Sequence, residues 1–107
     1  MTSFQDRERA EEAKFAHDAE TQFRIQARRN RLVGEWAAER MSLSQAEAEA
    51  YAKSVVQADF EEAGDEDVIR KLLGDLTAAG VDSSEAEVRA ALEAKQVEAR
   101  RAFLGEA

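Results

Sequence analysis

"SQAEAEAYAKSVVQADFEEAGDEDVIRKLLGDLTAAG", residues 44–80, carries the punctuation of two consecutive helices. Ser44 followed by Glu47 is a capping-box pattern, in which the serine hydroxyl accepts from the N3 amide and the glutamate reaches back to the serine N–H. Ala52, Val55, Val56, Phe60 and Ala63 then recur at helical spacing until Gly64, which is expected at the C′ position. Asp65 is expected to cap the next helix, with Glu66 and Asp67 in a first turn that favours acids. Val68, Ile69, Leu72, Leu73, Leu76 and Ala79 form its apolar face, and Gly80 ends it.

The same signals extend in both directions. Downstream, "DSSEAE" at 82–87 offers Ser84 and Glu87 as another capping box. Val88, Leu92, Ala99 and Phe103 stripe a last helix that frays near Gly105. Upstream, Ile25, Leu32 and Trp36 fall within about 20° of one face at 100° per residue, with Val33 and Ala37 flanking. Short connections favour antiparallel neighbours. The expected fold class is therefore all-α, a four-helix bundle over residues 21–107.

Composition agrees. The chain has 107 residues, enough for one domain with a modest core, with no proline and five glycines. With no cysteine there is no disulfide framework and no thiolate chemistry, which suits a reducing cytoplasm. No apolar run approaches the length of a membrane span, and the N-terminus has no apolar signal core. The formal charge of −8 argues against a nucleic-acid binder, since phosphate contacts need a basic surface. Residues 1–40 carry eight acids and eight bases, so the acidic excess lies entirely in residues 41–107.

Residues 4–24, "FQDRERAEEAKFAHDAETQFR", hold Phe4, Phe15 and Phe23 but no Leu, Ile, Val or Met. The segment is helix-competent: "SFQD" at 3–6 can cap it, and Glu20 with Arg24 makes a favourable i,i+4 pair. A continuous helix could run from about Ser3 to Arg40, but Phe4 and Phe15 share a face roughly 80–100° from the Ile25 stripe. Residues 1–20 are thus an appendage to the bundle, expected to be mobile when free, because a short polar helix is marginal alone. Aromatic anchors on a charged helix fit folding onto a partner's groove. The plainer alternative is that Phe15 and Phe23 fold back onto their own bundle.

The blocks "FQDRERAEEAKFAHD" (4–18), "ARRNRLVGEWAAERM" (27–41) and "YAKSVVQADFEEAGDEDVIRKLLGDLTAAGVD" (51–82) resemble the zeta-subunit family. These are small inhibitor proteins of bacterial F-type ATP synthases, from the alphaproteobacterial branch. The resemblance covers nearly the whole chain and is least clear over the last twenty residues. It implies a four-helix bundle with a mobile N-terminal inhibitory segment that inserts between an α and a β subunit of the catalytic head, near the γ shaft, and blocks ATP hydrolysis. On that reading Phe4 and Phe15 are apolar anchors, and Arg7, Glu8, Arg9, Glu12 and Lys14 set register by complementary charge. The protein would be cytoplasmic, held at the inner membrane only through the synthase, with no cofactor of its own.

Rival constellations are weak. His17, the single histidine, has no nucleophile paired with it in sequence; it is an exposed helix residue or a pH-sensitive contact. The acids of "EEAGDED" at 61–67 lack the spacing of a calcium loop and read as a solvated helix junction. No Gly-rich phosphate loop is present, and no site looks enzymatic. Arg24, Arg28, Arg29 and Arg31, followed by Trp36, could hold the phosphates and base of an adenine nucleotide. Against this, Trp36 falls on the expected core face, and Arg28 and Arg31 can pair with acids on neighbouring helices. An acidic helical adaptor using this cluster is the competing reading.

Overall fold

In the computed structural model, the backbone of residues 4–61 and 64–105 is described, with side chains over 19–59 and 64–105. Four helices follow one another: α1 (Phe4–Arg40), α2 (Gln45–Glu61), α3 (Asp65–Ala78) and α4 (Glu85–Leu104). α1 is flanked by α2 and α4, and α3 closes the fourth side against both. Among the described residues there is no strand. The sequence-based expectation of an all-α four-helix bundle holds, as does that of one helix running from the N-terminal segment to Arg40.

The connections are closed as their residues dictate. Ser44 Oγ accepts from Glu47 N at 3.2 Å while Ser44 N donates to Glu47 Oε1 at 2.9 Å, completing the box at the head of α2. Those hydrogen bonds, the backbone one foremost, hold the Glu47 carboxyl below the usual carboxylate range. Ser84 caps α4 by accepting from Glu87 N, also at 3.2 Å. α3 ends in a left-handed closing turn: Gly80 (φ 78°) donates to Thr77 O and Val81 to Leu76 O, with Val81 packed on the core. α1 ends the same way, with Ser42 donating to Glu39 O and Leu43 to Ala38 O. There the left-handed position is filled by a non-glycine residue, Ser42 at φ 58°.

Between α2 and α3 two expectations are corrected. Gly64 is the N-cap of α3 rather than a left-handed C′ residue of α2; its φ of 147° and ψ of 139° lie in a region open to glycine. Asp65 is the first helical residue rather than the cap, and no side chain caps α3. Its carboxylate is used elsewhere, by Arg29 of α1.

The core comprises Val33, Ala37, Val55, Val68, Ile69, Leu72, Leu76, Val88, Ala91 and Leu92, continued towards the N-terminal side by Ile25 and Ala99. On α1 the expected face is rotated. Val33, Ala37 and Ala38 are fully buried, whereas Leu32 and Trp36 are half-buried flanks. The cause is Gly34, where α2 comes so close that an added β-carbon would lie 2.8 Å from Ala52 Cα. Small residues define that seam. Trp36 lies beside it, half-buried against the core, with the Arg40 guanidinium 4.7 Å from its ring centroid. Four further positions depart from the expected stripes: Ala79 is exposed at the C-cap of α3, Val56 and Leu73 are half-buried, and Phe103 is 39% exposed. The Phe60 side chain and Ala63 lie outside the described residues.

Candidate partner-binding site

Helix lengths position the site. At about 1.5 Å per residue, α1 with its 37 residues is about 55 Å long, whereas the 20 residues of α4 reach about 30 Å. The molecule measures 64 × 28 × 24 Å, so its long axis is essentially that of α1.

Contacts fix where the neighbours stop. α1 and α4 run antiparallel, tied at Arg40–Glu87 (3.5 Å), Arg29–Gln96 (3.5 Å) and Arg28 over the Phe103 ring (5.9 Å). α1 and α2 are antiparallel too, through Gly34 against Ala52 and through Asn30–Asp59 at 2.7 Å. Followed along these pairs, the end of α4 falls near Phe23 and the end of α2 near Gln26–Arg28. Ile25 is the first buried side chain of α1 among the described residues. Upstream of it Gln22, Phe23 and Arg24 are exposed. The helix therefore continues for about five turns past the point where both neighbours end.

A polar clasp sits where α1 leaves the bundle. Asp59 of α2 accepts from Gln26 Nε2 (2.8 Å) and Asn30 Nδ2 (2.7 Å) through one carboxylate oxygen, and from Gly64 N (3.4 Å) through the other. Asn30 Oδ1 in turn accepts from Arg29 Nε (3.1 Å) and Nη2 (2.9 Å). Arg29 Nη1 donates to Asp65 at 2.9 Å and to Gln96 at 3.5 Å. Arg29 and Asn30 are 5% and 1% exposed, so this network joins all four helices through a buried centre whose Asp65 end opens to water. Losing any partner would strand a buried charge or amide. Sequence reasoning missed Gln26, Asn30, Asp59 and Gln96. The available signal was polar residues at i, i+3 and i+4 on the apolar side of α1, since Gln26, Arg29 and Asn30 interleave with Ile25 and Val33.

The arginine cluster does not converge. Arg24 pairs with Glu20 at 2.8 Å, as its spacing predicted, and Arg29 turns inward to the clasp. Among the described residues Arg28 and Arg31 do not pair with acids of neighbouring helices, contrary to expectation. Arg28 lies over Phe103, and Arg31 reaches Glu35 one turn along its own helix at 3.4 Å. Spacing places Arg24, Arg28 and Arg31 on the outer side, where the nearest partner is an i,i+4 acid or a ring. A groove between α3 and α4 brings Arg29, Asp65, Glu66, Arg89 and Glu93 together with Ile69 and Leu92. Within it Arg89 binds Glu66 through two nitrogens at 2.9 and 2.7 Å, a hydrogen-bonded pairing that holds the Glu66 carboxyl below its usual range.

The side chains of Phe4, Arg7, Glu8, Arg9, Glu12, Lys14, Phe15 and His17 lie outside the described residues; their backbone belongs to α1. Among the described residues no group of three or more potential ligands could hold a metal ion, and no helix is long and apolar enough to cross a membrane. What the geometry defines is a small four-helix bundle, clasped at one end, that presents one long helix. The chain belongs to the family of ATPase inhibitor subunit zeta, whose family model matches residues 1–102. A protein solved by solution NMR is 51% identical, matched over 80% of this chain and 98% of its own, with a TM-score of 0.69. No curated protein matches.

Proposed function

We propose that the protein restrains the F-type ATP synthase as a binding subunit rather than an enzyme, by placing the free half of α1 in the catalytic head. Residues 1–20 act as the inhibitory segment, mobile when the protein is free and folded on the partner, and residues 21–107 form the bundle that carries it. The helix enters an interface between an α and a β subunit near the γ shaft and stops the opening and closing that ATP hydrolysis requires. A helix that fits one state of that cycle better than the others shifts the population towards it. Phe4 and Phe15 are the apolar anchors; Arg7, Glu8, Arg9, Glu12 and Lys14 set register. The protein works on the cytoplasmic side, held at the inner membrane only through the synthase.

One observation supports this above the others: α1 continues far beyond the ends of both neighbouring helices. The adaptor reading, with an adenine nucleotide on Arg24, Arg28, Arg29 and Arg31, has less support because Arg29 is committed to the clasp and Arg28 to Phe103. The test is ATP hydrolysis by the isolated head, titrated with the parent chain and with Phe4→Ala and Phe15→Ala variants. Each truncation should weaken inhibition by about 1–4 kcal/mol, the usual effect of losing a hot-spot side chain. Full inhibition by a chain lacking residues 1–18 would sink the proposal.

A further inference from the structure

The exposed large apolar side chains among the described residues are Phe23, Val97, Phe103 and Leu104. All four lie at one end of the bundle, the end from which α1 departs. Phe23 stands on α1 at its foot, and the other three occupy the last two turns of α4. Phe103 continues the core stripe of Leu92 and Ala99 beyond the edge of the core, and Val97 and Leu104, seven residues apart, share a second stripe about 100–120° round the helix from it. Among the described residues the opposite end leaves no large apolar side chain exposed; Met41 and Val81 are packed against the core there.

The charge around this end also differs from that of the bundle as a whole. Residues 41–107 are strongly acidic, yet Arg24, Arg28, Arg100 and Arg101 are exposed here. Arg24 is paired with Glu20 at 2.8 Å and Glu98 with Lys95 at 3.1 Å, while Glu93, one turn before Val97, is exposed as well. Aromatic and aliphatic side chains within an arginine rim have the composition of an interface core, and Arg28 over Phe103 places the two side by side.

We propose that Phe23, Val97, Phe103 and Leu104 form a collar that seats on the ATPase head beside the opening that admits α1, in an apolar recess edged with carboxylates. The inference rests on the reading of α1 as the inserted helix. Continuity supplies the occupant: Phe23 is eight residues beyond Phe15 on the same helix, about 12 Å along the axis. A helix held through Phe4 and Phe15 brings its own foot against the surface it enters. Helix and collar are two contacts on one chain, so engagement of the first raises the effective concentration of the second.

The test uses the full chain carrying Val97→Glu with Leu104→Glu, two half-exposed positions outside the core. Its control carries Ala46→Glu with Ala50→Glu, the same charge change at exposed sites on the other end. Both should melt within a few degrees of the parent. In ATP hydrolysis by the isolated head, the collar variant should need about ten-fold or more of the protein for half inhibition, a range set by hot-spot losses, and the control about the same amount as the parent. Parent-like inhibition by the collar variant, in a series where Phe15→Ala has lost it, removes the collar and leaves the inserted helix standing. A parent dimer that the collar variant splits without loss of inhibition assigns the patch to a second copy and overturns the proposal. Full inhibition by Phe4→Ala and Phe15→Ala alongside loss in the collar variant removes the inserted helix and overturns the proposal with it, since the patch then binds with no opening for α1 to sit beside. A parent chain without effect overturns both.

Discussion

A β-carbon at Gly34 would meet Ala52 Cα at 2.8 Å and Val55 Cγ2 at 3.2 Å, so the α1–α2 seam has no room for a methyl group. Alanine is the better helix former by about 1 kcal/mol, but overpacking against backbone costs about 1–3 kcal/mol and wins. Gly34→Ala should therefore lower the unfolding free energy, read by urea titration. Ser42 is the converse case: a left-handed conformation costs an L-residue about 1–2 kcal/mol, and this turn is the one that Gly80 makes freely at the end of α3. Ser42→Gly should stabilise by about 0.5–1 kcal/mol, the rest being offset by the more flexible unfolded chain. Tyr51 supplies the pH dependence. Burial foremost, then its hydrogen bond to Asp75 at 2.7 Å and that carboxylate's charge, push the phenol well above its ordinary 10.0. The neutral phenol is what the fold favours, so its contribution is fully present below pH 10 and is lost as pH rises above that value. Tyr51→Phe should flatten the alkaline decline in melting temperature. Because the chain has one tyrosine, tyrosinate absorbance follows this group alone.

Among the elements, α1 separates what the sequence made legible from what it did not. Its length was readable, because no proline interrupts the run from Phe4 to Arg40 and Gly34 is the single glycine in it. The Ser44–Glu47 and Ser84–Glu87 caps and the Gly80 stop were readable as well, since each is a local pattern with a local mechanism. Which face of α1 is buried was not, because periodicity weights large apolar residues and is blind to a glycine that lets another helix approach. The clasp was hidden for a related reason: Gln26, Asn30, Asp59 and Gln96 are ordinary surface types until four helices bring them together. The unbroken helix also carries a prediction. Phe4 and Phe15 are eleven residues apart, within about 20° on one face. One alanine inserted between Ala10 and Glu11 turns Phe15 by about 100° away from Phe4 while leaving helix propensity unchanged. Inhibition of the isolated head should suffer about as much as from Phe15→Ala; an undiminished effect would mean that the two rings do not read one groove.

Taken whole, the molecule changes character at Ile25. Among the described residues its buried side chains lie from that residue onward, and the clasp closes the bundle just beyond it. Removing residues 1–18 should accordingly leave the bundle's thermal transition within a few degrees, since substitutions outside the core cost little. Loss of inhibition in the same variant, measured on the isolated head, would separate the two modules. Removing residues 81–107 should instead abolish cooperative unfolding, because Val88, Ala91, Leu92 and Ala99 cover the remaining core. Both outcomes are readable by circular dichroism.

The bundle is 28 × 24 Å across, whereas a single helix with its side chains is only about 10–12 Å wide. A groove that admits α1 cannot admit the body behind it. The bundle is thus a shoulder on a peg, and the peg's length from Phe4 to the shoulder near Phe23, about 29 Å, sets how deep the helix can go. On the proposed reading of α1 as the inserted helix, penetration is gauged by the bundle itself rather than by the floor of the groove. Seven residues added between Ala19 and Glu20 would lengthen the peg by about 10 Å with almost no rotation, letting the tip run past its seat while both phenylalanines keep their phase.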